Sequence, residues 1–98
     1  MIKVLKINKK DNVGVAIVPL KKGDSFEIER ILYIAKENVD FGHKVALTNI
    51  SKSNKVIKYG DVIGYATQDI MKGEWTHIHN LQSNRGRLKG EMINTNEI

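Results

Sequence analysis

The sequence has no cysteine and a single proline, and aromatic side chains make up only 6% of its 98 residues. Without thiols there is neither a disulfide framework nor a thiolate metal site. No apolar run is long enough to span a bilayer, and the opening MIKVLKINKKDN is too often interrupted by lysine for a secretory leader. The expected location is therefore the cytoplasm, with no membrane partner. Acidic residues are in the minority, 11 against 16 basic, for a net charge of +5. The basic surplus is spread out. Only Lys9 and Lys10, Lys21 and Lys22, and the group Arg85, Arg87 and Lys89 stand close together. Aromatic and basic residues are not interleaved as in single-strand binders, so nucleic acid is not the expected partner and a solvated lysine surface is the simpler reading.

What is present is the composition of one globular domain, with 41% apolar residues. The apolar residues fall into short runs with β character at 2–7, 13–18, 26–29, 44–48, 56–59, 62–67 and 75–79. Residues 26–29, Phe-Glu-Ile-Glu, alternate apolar and acidic as a half-buried strand does. Residues 30–38 fit either a helical stripe or a strand; their β-branched content and missing cap favour a strand. Three segments share one shape: PLKKG at 19–23, NISKS at 49–53 and DIMKG at 69–73. In each, an apolar anchor precedes a lysine and a small residue suited to an unusual φ, between two strand candidates. Many short strands, tight turns and little helix predict an all-β domain over residues 1–81. Residues 82–98, polar and basic, read as a tail or linker stub.

Chemistry concentrates in residues 55–81, which hold two of the three histidines, the only tryptophan and three of the eight glycines. As a strand, residues 75–79 would put Trp75, His77 and His79 on one face. Three readings of the histidines are open. His77 and His79 are candidate ligands of one metal ion, with His43 completing a facial set. They also suit acid–base work or carboxylate binding, because imidazole titrates near neutrality. The plainest alternative is hydrogen bonding within the sheet. The absence of a neighbouring carboxylate in sequence favours acid–base or substrate contact over ligation. Lys44 and Lys58 are candidate partners of a substrate carboxylate, although a lone lysine is usually a solvated edge residue. Asn80 suits either a substrate hydroxyl or the closing of a turn. Asp11 and Asn12 suggest an Asx-type turn.

Taken in order, Asp11-Asn12-Val13, Gly42-His43-Lys44-Val45-Ala46-Leu47, Val56-Ile57-Lys58-Tyr59-Gly60, Ile63-Gly64-Tyr65-Ala66 and the run from Gly73 to Leu81 (GEWTHIHNL) resemble the SAF-type N-terminal domain of altronate and galactarate dehydratases. The resemblance covers residues 6–84. It implies a β-clip fold of bent hairpins, accompanied by a much larger catalytic part, fused or separate. A chain of this length then looks like a free-standing small subunit of a sugar-acid dehydratase, inactive alone and bound to a large dehydratase subunit. The same subunit type occurs in a sulfolactate sulfo-lyase, and a non-catalytic carbohydrate-binding module is a further alternative. The resemblance also implies a sugar-acid substrate and Fe2+ or another divalent metal ion held mainly by the large subunit. His43, His77 and His79 would be catalytic, with Lys44, Lys58 and Asn80 contacting substrate. Ser53 stands where the repeated turn usually has glycine, and Trp75 where a smaller aliphatic residue is common.

Overall fold

The computed structural model describes residues 1–83, and within them the fold is all-β, with no helix. The strands are β1 (Val4–Leu5), β2 (Val13–Ala16), β3 (Ser25–Ile28), β4 (Ile31–Ile34), β5 (Lys44–Ala46), β6 (Lys55–Lys58), β7 (Asp61–Ala66), β8 (Trp75–Thr76) and β9 (Leu81–Ser83). They form a central antiparallel sheet in the order β1-β2-β5-β8, a hairpin β3-β4 and a sheet β6-β7-β9. These short strands and bent hairpins make the expected β-clip. The ambiguous segment 30–38 contributes strand β4, not a helix. Strand β9 includes Gln82 and Ser83, from the segment expected to be tail; the rest of that segment lies outside the described residues.

Period-two alternation in the central sheet separates two apolar cores. Val45 and Leu47 face one core with Val4, Leu20, Phe26 and Tyr33, while Val13 and Ala46 face the other with Ile50, Val56 and Ile70. Both cores therefore share β2 and β5 as a common wall.

Four turns, not three, build the clip. Their positive-φ residues are Gly23 (95°), Gly42 (85°), Ser53 (76°) and Gly73 (93°). In each turn the N–H of that residue donates to the carbonyl of a buried alanine: Gly23 to Ala35 (2.8 Å), Gly42 to Ala16 (2.7 Å), Ser53 to Ala66 (2.7 Å) and Gly73 to Ala46 (2.8 Å). Each alanine N–H donates back to the next residue of the same turn, respectively Asp24, His43, Asn54 and Glu74, at 2.8–3.0 Å. The apolar anchors pair as isolated bridges, Leu20 with Val39 and Ile50 with Ile70. Carboxamide or carboxylate oxygens of Asn38, Asn49 and Asp69 accept the backbone N–H of Lys22, Lys72 and Lys52 in the opposing turns. These bonds satisfy turn backbone that the strands leave unpaired.

Candidate active site

Two of the four turns deliver the histidine site. The second ends at His43, whose carbonyl accepts from Ala16; the fourth ends at Glu74, immediately before Trp75. Strands β5 and β8 pair Lys44 with Thr76 and Val45 with Trp75. One rung further, this register sets His43 across from His77. Their rings stack with centroids 4.4 Å apart and planes within 15°. The Trp75 ring lies 5.3 Å from His77, 5.9 Å from His43 and 4.6 Å from His79, so all three imidazoles gather on one indole.

The expected strand over 75–79 stops early. Only Trp75 and Thr76 pair; residues 77–80 form a turn. Asn80 causes this. Its Oδ1 accepts from His77 N at 2.9 Å, its Nδ2 donates to the Trp75 carbonyl at 2.9 Å, and its own N–H donates to the His77 carbonyl at 3.1 Å. Strand alternation therefore does not bring His79 to the cluster; the turn folds it back onto Trp75. Asn80 is buried and both ends of its carboxamide are engaged by its own loop, so the structure places it under the site. Trp75 is held from the other side, where its backbone N–H donates to Glu37 Oε2 at 3.0 Å. Glu37 carried no signal in the sequence, because its partner is distant along the chain.

Lys44 lies half-buried beside the cluster. Burial, and then repulsion from Lys58, push its ammonium pKa down. His77 is also pushed below the ordinary imidazole value, first by burial and then by repulsion from His43, Lys44 and His79. The structure thus groups His43, His77, His79 and Lys44 in one patch, with Lys58 close enough to repel Lys44. Lys58 is presented by the β6–β7 hairpin, whose ammonium lies 4.8 Å over the Tyr59 ring. Asp11 and Asn12 brace that hairpin. Asp11 Oδ1 accepts from Gly60 N at 2.8 Å, and Oδ2 accepts from Asn8 N at 3.0 Å. Burial opposes ionisation of Asp11, but these backbone bonds outweigh it and hold its carboxyl below the ordinary range. Asn12 sits at the bulge in β6, donating to the Lys55 carbonyl and accepting from Ile57 N.

His43 and His77 are poorly arranged to hold one metal ion between them. Ring nitrogens donate in the ring plane, and His43 and His77 lie nearly parallel, so their lone pairs do not converge on one point. Among the described residues no group of three or more His, Asp or Glu side chains is placed to hold one. The patch is also open. His43 and His77 are half-exposed and His79 is exposed; two surface clefts near Ser53 and Tyr65 include no histidine. No helix among the described residues is long and apolar enough to cross a membrane.

Comparison with known proteins agrees with this architecture. The chain is 39% identical over 80 residues to the altronate dehydratase of Bacillus subtilis (strain 168), covering 82% of the chain and 16% of that protein. It is 42% identical over 84 residues to the altronate dehydratase of Escherichia coli (strain K12), covering 86% and 17% respectively. It thus spans about a sixth of the length of these two relatives. It is 33% identical over 82 residues to the (2R)-sulfolactate sulfo-lyase subunit alpha of Chromohalobacter salexigens, covering 76% of the chain and 87% of that subunit. Residues 2–84 match the altronate/galactarate dehydratase SAF domain, and the chain belongs to that family.

Proposed function

We propose that the chain is a small subunit of a sugar-acid dehydratase of the altronate or galactarate type, contributing imidazoles and lysines to a site shared with a larger catalytic chain. The observation that carries this reading is the convergence of His43, His77 and His79 on Trp75 beside Lys44 and Lys58. Dehydration removes a proton α to a carboxylate and expels the β-hydroxyl as water. The carboxylate gains negative charge as the proton leaves, and the hydroxyl must be protonated to depart. Lys44 and Lys58 repel each other, so an anion between them relieves that repulsion and is drawn there. Neutral His77 retains a nitrogen lone pair that can take a proton. Among the described residues the patch is a shelf rather than a pocket, and a second chain would enclose a substrate there and exclude water. We assign the divalent ion expected of the family to that larger chain, because among the described residues no group of three or more His, Asp or Glu side chains is placed to hold it.

The test is reconstitution. The isolated chain is expected not to dehydrate altronate or galactarate, and addition of the large dehydratase subunit should restore turnover. Alanine at His43, His77 or His79 should lower the reconstituted rate by about 10²–10⁴-fold, with melting temperature close to that of the parent. Full activity of the chain alone, or a large subunit indifferent to it, would refute the shared site. The second reading is the alpha subunit of a sulfo-lyase, favoured by the match across 87% of a subunit of similar size. Release of sulfite from (2R)-sulfolactate by the reconstituted pair, without dehydration of sugar acids, would select it.

A further inference from the structure

We propose that Trp75 is a positioning residue whose indole N–H fixes His43 with its proton on Nε2, so that His43 enters the site as a hydrogen-bond donor. The proposal rests on the shared-site reading above for its functional half. Trp75 Nε1 lies 3.1 Å from His43 Nδ1. An indole nitrogen can only donate, so Nδ1 must offer its lone pair. A neutral imidazole carries one proton, which then sits on Nε2. His43 Nε2–H is left to donate to a substrate oxygen, and His77 is the stacked ring left to accept a proton.

Both partners are anchored well enough for this bond to specify a state. His43 is tied through its backbone N–H to the Asp40 carbonyl (3.0 Å) and through its carbonyl to Ala16 N (2.9 Å). The backbone of Trp75 is held by Glu37 on its N–H and Asn80 on its carbonyl, and its ring packs on the first core. The indole is therefore confined on several sides. An aliphatic residue at position 75 would fill the same gap but offer no donor. The tryptophan thus adds a chemical instruction to a packing role.

Two measurements on the full chain and on the reconstituted pair test this. Long-range ¹⁵N NMR spectra, recorded where the rings are neutral, should show His43 Nδ1 as an unprotonated nitrogen and Nε2 as a protonated one. Trp75→Phe keeps an aromatic face without the donor, and should turn His43 into a mixture of both tautomers. In the reconstituted pair the same variant should lower kcat about tenfold, with KM within about twofold and melting temperature little changed. A proton on His43 Nδ1 in the parent chain overturns the proposal even if the variant does not fold. So does an unchanged His43 spectrum in the variant, and an unchanged kcat overturns the functional half. Lack of turnover by the parent pair would count against the dehydratase reading, while the spectra would still decide whether Trp75 sets the tautomer.

Discussion

His77 shows what crowding three imidazoles and a lysine at one sheet edge does to a single side chain. Its pKa is lowered by burial and then by repulsion from His43, Lys44 and His79. Above the ordinary imidazole value, near 6.5, the ring is neutral in folded and unfolded chains alike and contributes no pH dependence. Below it the unfolded chain binds a proton that the folded chain resists, so stability falls as pH drops through that value toward the lowered one. Melting temperature should therefore decline on acidification from about pH 7.5 to about pH 5, and His77→Gln should remove part of that decline. An acid decline of the same size in the variant would mean that the proton is taken up elsewhere.

At the scale of the element, the turns make the clearest demand on sequence. Gly73 has φ of 93°, and a Cβ there would run into the Ile34 carbonyl. Gly73→Ala therefore meets both backbone strain and a backbone collision, and should cost more than about 2 kcal/mol. Ser53 occupies the equivalent place in its own turn with φ of 76°. Ser53→Gly relieves that conformation but loosens the unfolded chain, so it should range from neutral to about 1 kcal/mol stabilising. Urea unfolding of the two variants measures the contrast; equal effects would contradict the shared turn geometry. Three of these turns are legible in the sequence as an apolar anchor, a lysine and a small residue. The remaining one, at Val39 to Gly42, reads as a turn but has Asp40 and Phe41 where the pattern offers lysine, and only its bonds to Ala16 show that it shares the geometry of the other three. The histidine run departs from its expected strand for a related reason. Trp75 to His79 has strand composition, but the buried carboxamide of Asn80 turns the chain after Thr76. The arrival of His43 was beyond any local pattern, because the β5–β8 register sets it.

Across the whole molecule, the two cores have β2 and β5 as a common wall, so neither can be dismantled while the other keeps both faces covered. Unfolding should therefore be a single transition. Trp75 packs against the first core, and its fluorescence reports on that side; far-ultraviolet circular dichroism reports on all the strands. The two signals should trace the same urea curve within error. A midpoint for Trp75 well below that of the dichroism would show that the histidine edge opens separately.

The exchange of bonds between turns and alanines also orders the assembly of a growing chain. Ala35 and Ala66 each meet a turn made shortly before them and close as local hairpins. Ala16 must wait for Gly42, and Ala46 for Gly73, whose turns come much later in synthesis. The central sheet thus stays unfinished until the fourth turn has left the ribosome, and non-local closure of this kind is the slow part of β folding. The histidine cluster stands on those two late closures. A nascent chain would acquire its hairpins early and its histidine cluster late.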